Sequence, residues 1–233
     1  MWLLKTDSPQ RHRDTEKAKT LTSLSLVFPL CLCVSVVNGC RLFIVCAFAL
    51  TLSACGEPKL PSPFQASDVS AKYAGADFHL TDHNGQPRSM ADYRGKVVVL
   101  FFGYTHCPDV CPTTLADLAH VLRLLGQDAE RVQVLFATLD PQRDTPELLA
   151  KFVPAFHPSF LALYGDEQAT DQAARAFGVS YQKQPGKNSS YTLDHFIGTY
   201  LIGASGKPVL LAPYGQRAEL LAQDIKLLLR MAR

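Results

Sequence analysis

The segment that decides the fold runs from residue 96 to residue 115: Lys96-Val-Val-Val-Leu-Phe-Phe-Gly-Tyr-Thr-His-Cys-Pro-Asp-Val-Cys-Pro-Thr-Thr-Leu115. Its first part is a continuous apolar run of β-branched and aromatic residues, typical of a strand buried on both faces. Leucines then recur at three- and four-residue spacing, which predicts a helix over Thr113–Leu125 that ends at Gly126. Cys107 and Cys111 therefore lie at a junction between a buried strand and a helix.

The spacing of these two thiols, with three residues between them, indicates their chemistry. Residues four apart lie on one face of a helix, and the unpaired N–H groups of a helix N-terminus favour a thiolate by lowering its pKa. Such a pair suits binding of a soft metal ion, disulfide exchange, or both. The spacing also differs from the usual Cys-x-x-Cys redox motif. An inert core role and a structural disulfide are the alternatives.

Five further cysteines (residues 31, 33, 40, 46 and 55) lie in or beside an apolar N-terminal region, where cysteine acts as a small hydrophobe. The apolar stretch Leu42–Leu50 follows Arg41 and ends in Leu52-Ser-Ala-Cys55-Gly, which resembles a bacterial lipoprotein box with Cys55 as the lipidated residue. The alternative is a transmembrane anchor built from residues 21–54. Either interpretation predicts an extracytoplasmic domain. We divide the chain into a leader (1–55), a Pro-rich linker (56–70) and a folded domain (71–233).

Charge is nearly balanced after the leader. Residues 1–54 carry six Lys/Arg against three Asp/Glu, whereas residues 55–233 carry seventeen against eighteen. A near-neutral domain without a basic stripe argues against nucleic acid as a partner. The sequence also lacks a Gly-rich phosphate loop, a Ser/His/Asp signature and a paired-carboxylate motif, which argues against the corresponding enzyme classes.

The rest of the chain alternates strand and helix patterns and closes with a hairpin and a helix. Further strands are predicted at Val132–Leu139 and Phe160–Leu163, further helices from Thr145-Pro146, over Asp166–Phe177 and over Arg217–Met231, and hairpin turns at Asn84-Gly85 and Gly203–Gly206. Lys183–Ser190 is a polar loop. This order predicts an α/β three-layer sandwich with a central mixed sheet and an N-terminal β-hairpin. With a thiol pair after the first buried strand, it resembles the thioredoxin fold.

A third metal ligand is sought among the seven histidines, because two thiolates with an imidazole suit copper in either oxidation state. His195 precedes the predicted strand Thr199–Ile202 and follows a loop that can swing. In a thioredoxin-like fold this connection faces the thiols and usually carries a cis-proline, which is absent here. His106 adjoins Cys107, but neighbouring side chains diverge, so His195 is the stronger candidate.

Three segments of the chain resemble the SCO/SenC family of cytochrome oxidase assembly proteins. They are Phe102–Leu115, Leu139-Asp-Pro-Gln-Arg-Asp-Thr-Pro146, and Asp194-His195 followed by Tyr200-Leu-Ile. The resemblance implies a membrane-tethered, thioredoxin-like protein in which Cys107, Cys111 and His195 bind copper, Cu(I) or Cu(II). It also implies a partner, the copper-accepting subunit of cytochrome c oxidase. Phe196 departs from the family pattern, because a smaller or hydroxyl residue is expected after the histidine.

Asp140 and Asp144 match the acidic segment of the family. We expect these carboxylates to order the loop or the ligands around the copper site, with helix capping as the alternative.

The function that the resemblance implies is a copper metallochaperone on the periplasmic face of a bacterial membrane, held by lipid, with the family role implying the inner membrane. The alternative is a thiol-disulfide oxidoreductase, with Cys107 and Cys111 as its redox pair, that reduces the target's cysteines before copper insertion. A peroxidase of the peroxiredoxin type is disfavoured, since the sequence has no distant resolving cysteine after residue 55 apart from this pair.

Overall fold

The computed structural model describes residues 62–186 and 190–232. The strands are β1 (Ser67–Asp68), β2 (Leu80–Asp82), β3 (Pro87–Arg88), β4 (Val97–Gly103), β5 (Val132–Thr138), β6 (Leu161–Tyr164), β7 (Tyr181–Pro185), β8 (Tyr191–His195), β9 (Gly198–Ile202) and β10 (Pro208–Pro213). The helices are α1 (Val110–Leu125), α2 (Pro146–Phe152), α3 (Glu167–Ala176) and α4 (Ala218–Met231). The leader, Cys55 and residues 56–61 of the predicted linker lie outside the described residues.

Eight strands form one mixed sheet in the order β1-β10-β9-β4-β5-β6-β2-β3. β4, β5 and β6 run parallel, whereas β9 pairs with β4 antiparallel. Among the strands described, β7 and β8 pair only with each other and form a separate two-stranded ribbon. The predicted α/β class with a central mixed sheet is confirmed, and the β2–β3 pair provides the predicted N-terminal hairpin.

The core lies on both faces of the sheet, because successive side chains of β4 point to opposite sides. On one face Phe101 contacts Phe136, which contacts Phe152 of α2. On the other face Phe102 contacts Phe177, at the end of α3. Every residue of β4 is buried. Helices therefore cover the sheet on two sides, in the thioredoxin-like sandwich that the sequence predicts.

Local sequence signals account for the helix ends that were predicted. The Thr145 side chain accepts a hydrogen bond from the backbone N–H of Leu148, with Pro146 as the first helical residue. Gly126 follows α1 with φ of 60°, a conformation that costs glycine little. These signals are local, and they were sufficient to locate the helix boundaries they govern.

Two differences from the predictions bear on the site. α1 begins at Val110 rather than near Thr113, because Pro112 is tolerated in the first helical turn, where its missing N–H has no intrahelical partner. β7 includes the first three residues of the segment predicted as a polar loop, and β8 begins directly after that segment. His195 is therefore the last residue of a strand.

The end of the predicted linker belongs to the folded body. β1 pairs with β10 within residues 56–70. The carboxylate of Asp224, on α4, accepts hydrogen bonds from the backbone N–H groups of Gln65 and Ala66 at 2.8 and 2.9 Å. Asp224 is fully buried. This carboxylate therefore fixes the chain where it enters the fold.

Among the residues that the structure describes, none of the helices is long and apolar enough to cross a membrane.

Candidate metal centre

The two thiols lie at the C-terminal end of β4, in different environments. Cys111 is the second residue of α1 and is fully buried. Cys107 precedes the helix in a turn, with its backbone N–H 3.3 Å from the Tyr104 carbonyl, and is half-buried. A Cβ at Gly103 would lie 2.8 Å from the Cys111 sulfur, so this glycine is what allows the sulfur to approach the strand. The predicted junction is confirmed, but only Cys111 is helical.

His195 reaches the buried thiol from the far part of the chain. Its Nε2 lies 3.8 Å from the Sγ of Cys111. Its Nδ1 lies 2.9 Å from the Phe196 carbonyl oxygen, which can only accept a hydrogen bond. The ring proton is therefore on Nδ1, and Nε2 presents its lone pair towards the sulfur. This is the tautomer that a metal-binding imidazole requires.

Burial controls the protonation of both groups. It raises the pKa of the Cys111 thiol well above its ordinary value, and a hydrogen bond with the backbone of Tyr104 offsets this only in part. Burial also lowers the pKa of His195, so the imidazole is neutral at neutral pH. The lowered thiol pKa expected from the helix N-terminus is therefore wrong for Cys111. A cation binding here would have to displace the thiol proton.

Aromatic rings form the walls around the imidazole. Tyr104 and Phe101 meet the His195 ring edge-on, with centroids 5.9 and 6.5 Å away. Both residues are buried. These walls limit access of water to the imidazole and contribute to the burial that lowers its pKa.

Asp144 organises the turn that carries Cys107. This buried carboxylate accepts hydrogen bonds from the backbone N–H of Thr105 at 3.0 Å, from its hydroxyl at 2.5 Å, and from the hydroxyl of Thr138 at 2.6 Å. Charge-assisted bonds of this kind are stronger than neutral ones. Asp144 thus joins the cysteine turn to the end of β5.

Asp140 organises the other half of the site. Its buried carboxylate accepts hydrogen bonds from Nε of Arg143 at 2.5 Å and from the Tyr191 hydroxyl at 2.6 Å. Tyr191 is the first residue of β8, the strand that ends at His195. The acidic segment therefore contacts both the cysteine turn and the histidine strand. Neither carboxylate caps a helix, so the capping alternative is not what the structure shows.

Phe196 is accommodated by a neighbouring glycine. A Cβ at Gly198 would lie 2.7 Å from the Phe196 ring, which is 36% exposed. The backbone carbonyl of Phe196, rather than its side chain, is the partner of His195. The unusual side chain thus leaves the orientation of the imidazole intact.

The structure brings Cys111 to His195, with 3.8 Å between the Sγ and Nε2 atoms. Cys107 is near enough to add to the raised pKa of the Cys111 thiol. Within residues 62–186 and 190–232, no three His, Cys, Asp or Glu side chains already form a complete set of metal ligands. His106 turns instead to Thr105 and Asp144, at 3.1 and 3.7 Å. The half-exposed Cys107 is therefore the member that must turn inward to complete a three-ligand set.

The sequence did not predict the contacts made by Arg143, Tyr104 and Tyr191. Arg143 and Tyr104 lie inside the quoted motifs, but their roles depend on β8, which was not predicted as a strand. An arginine between two acidic residues in Asp140-Pro-Gln-Arg-Asp144 was the available signal.

The family model described as SCO1/SenC matches residues 66–230 of this chain. The chain belongs to the SCO1/SenC family. The mitochondrial SCO2 homolog of Mus musculus is 43% identical over 133 residues, which is 56% of this chain and 52% of the relative. The chain therefore spans about half the length of this curated relative.

Solved structures of SCO proteins have the same fold. A structure described as Bradyrhizobium japonicum ScoI with copper bound is 38% identical, with a TM-score of 0.61, and the alignment covers 65% of this chain and 97% of that one. A structure described as a SCO1/SenC family lipoprotein from Bacillus anthracis is 26% identical, with a TM-score of 0.56, covering 65% of this chain and 92% of that one. The thioredoxin-like fold is thereby confirmed.

Proposed function

We propose that this protein is a copper metallochaperone that works in cytochrome c oxidase assembly and binds its cargo through Cys107, Cys111 and His195. The observation that carries the proposal is the 3.8 Å approach of the His195 Nε2 to the Cys111 sulfur, between residues 84 positions apart. Family membership and the copper-bound Bradyrhizobium relative support the choice of metal.

The donor set suits both oxidation states of copper. Thiolates prefer Cu(I), and a neutral imidazole is a good ligand for Cu(II). Cargo binding releases the Cys111 proton, and the positive ion then compensates a thiolate that burial alone would disfavour. The half-exposed Cys107 gives an incoming thiolate of the recipient a route to the metal. The recipient we propose is the copper-accepting subunit of the oxidase.

The alternative proposal, a thiol-disulfide oxidoreductase, uses the same two free cysteines. It would proceed through a mixed disulfide formed at the accessible thiol. Such a reaction does not need an imidazole against Cys111, so the position of His195 favours metal binding. A reductase assay on the apo protein separates the two: rapid disulfide reduction that persists in His195→Ala would favour the oxidoreductase.

We further propose that lipid on Cys55 holds the domain at the periplasmic face of the inner membrane. The lipoprotein-like segment Leu52-Ser-Ala-Cys55 supports this, as does the family relative described as a lipoprotein. Incorporation of labelled palmitate in a bacterial host is the test. The expected result is labelling of the full chain and loss of label in Cys55→Ser, and equal labelling of both would contradict the proposal.

The test of the ligand set is copper titration of the reduced protein with each ligand replaced in turn. We expect one Cu(I) per chain, loss of Cu(I) binding in Cys107→Ser and Cys111→Ser, and weaker Cu(II) binding with an altered spectrum in His195→Ala. The exposed His79 provides the control, since His79→Ala should bind both ions normally. Unchanged Cu(II) affinity and spectra in His195→Ala would contradict the three-ligand site.

A further inference from the structure

We propose that Arg143 is a positioning residue that fixes His195 against the thiol pair by holding the strand on which His195 lies. This inference rests on the proposed copper site and extends it to a residue that is not one of the three proposed ligands. It concerns β8, whose residues at alternate positions face the body of the protein.

The inward side of β8 carries Tyr191, Leu193 and His195, while Thr192 and Asp194 between them are exposed. This alternation is the period of a strand. Two of the three inward residues adjoin the region of the site. Nη1 of Arg143 donates to the Tyr191 carbonyl at 2.8 Å, and Leu193 lies beside Tyr104.

Arg143 makes the more extensive of these attachments. Its guanidinium lies 3.6 Å from the centroid of the Tyr191 ring, and its Nε donates to Asp140. Asp140 also accepts the Tyr191 hydroxyl. The arginine thus contacts the backbone and the ring of Tyr191 and shares a buried carboxylate with its hydroxyl. A planar guanidinium can make these contacts together, whereas the compact ammonium of lysine cannot.

The attachment of the cysteine turn is separate. Asp144 holds Thr105 and Thr138 without Arg143, so the thiols keep their own support when the arginine changes. Because β8 belongs to the ribbon and not to the main sheet, its position depends on side-chain contacts such as those of Arg143. Loss of Arg143 therefore loosens the imidazole and leaves the two sulfurs in place.

The selective prediction is that Arg143→Lys weakens Cu(II) binding much more than Cu(I) binding. Supporting residues around a metal site are worth about 10–100-fold in affinity, so we expect a Cu(II) affinity lower by about tenfold or more. The nitrogen hyperfine coupling of bound Cu(II) in electron paramagnetic resonance should weaken, and Cu(I) affinity should stay at the wild-type value. Arg217→Lys is the control, because Arg217 pairs with Glu219 at the surface and its side chain is 74% exposed.

A second measurement needs no copper. Amide hydrogen exchange of apo Arg143→Lys should be faster in residues 191–195 and unchanged in residues 97–103 of β4. This variant keeps the charge, and a circular dichroism spectrum and melt establish that it is folded. Wild-type exchange in β8 would overturn the inference, and so would Cu(I) and Cu(II) affinities that fall in parallel, which is the signature of general destabilisation.

The failures of the two proposals are distinguishable. If wild type binds Cu(II) with nitrogen coupling that depends on His195, but Arg143→Lys retains it fully, the positioning role is wrong and the proposed function stands. If wild-type coupling does not depend on His195, the proposed ligand set is wrong, and the role of Arg143 fails with it.

Discussion

Substitution of Gly103 by alanine tests how closely the buried thiol is packed against the sheet. The added Cβ would lie 2.8 Å from the Cys111 sulfur, 2.9 Å from the Phe136 ring and 3.0 Å from the Phe101 ring. These are fully buried side chains and not flexible surface groups, so relief requires movement of the core or of the sulfur.

Overpacking of this kind costs about 1–3 kcal/mol, and we take about 2 kcal/mol for Gly103→Ala. For a chain of this size, that corresponds to a melting temperature lower by about 4–8 °C. Because the sulfur is one of the displaced atoms, copper affinity should fall as well. The assays are urea denaturation of the apo protein, which reports the free energy of unfolding, and Cu(I) competition titration.

Gly75 provides the matched control, because a Cβ there would meet nothing within 4 Å. Gly75→Ala should leave both the free energy of unfolding and the copper affinity near their wild-type values. If Gly103→Ala also behaves like wild type in both assays, the close approach of Cys111 to β4 is not a constraint on the site, and the reasoning is refuted.

Three further predictions concern the Cys111 proton and the buried carboxylates of Asp144 and Asp224. Because burial raises the pKa of Cys111, Cu(I) affinity should rise with pH by about tenfold per unit for each proton released, and a flat profile in competition titrations would contradict this. The free energy of unfolding of the apo protein should fall above about pH 8.5, because only the thiol of the unfolded chain ionises there. Asp144→Ala should lower the free energy of unfolding by about 3 kcal/mol, measured in urea, since it leaves the Thr105 and Thr138 donors without their carboxylate. Asp224→Ala should cost about 2 kcal/mol and expose the chain near Gln65 to limited proteolysis, and wild-type protection there would show that other contacts hold the N-terminal segment.

The strand-helix junction could be predicted because its signals are local. The apolar run of β4 and the leucine spacing of α1 each lie within one segment, and so does the terminating Gly126. The third candidate ligand was a different case. Only the resemblance of Asp194-His195 to a family, together with the usual position of that connection in the fold, pointed to His195.

The protonation of Cys111 could not be predicted from its position in the sequence. The local signal, a helix N-terminus, favours a thiolate, but the sulfur is fully buried and packs against Gly103 of β4. Burial by distant residues outweighs the local effect, and only the folded chain reveals it.

The ribbon β7–β8 was missed for a related reason. Its first strand, Tyr181-Gln-Lys-Gln-Pro185, is largely polar and exposed, and it lacks the apolar alternation by which strands are recognised. What holds the ribbon is contact with other segments, such as Arg143 with Tyr191 and Lys183 with Gln142. These pairings join residues about forty to fifty positions apart, beyond the reach of any local pattern.

The pairing of β8 with β7 alone has a mechanical consequence. Withdrawing the imidazole breaks no hydrogen bond of the eight-stranded sheet, whereas moving the buried Cys111 sulfur would disturb the end of β4, against which it packs at Gly103. A copper ion bound here would lie between Cys111, which is fixed to the sheet, and His195, which lies on the separate ribbon. Movement of the ribbon away from the sheet would expose the bound copper while the eight-stranded sheet keeps its structure.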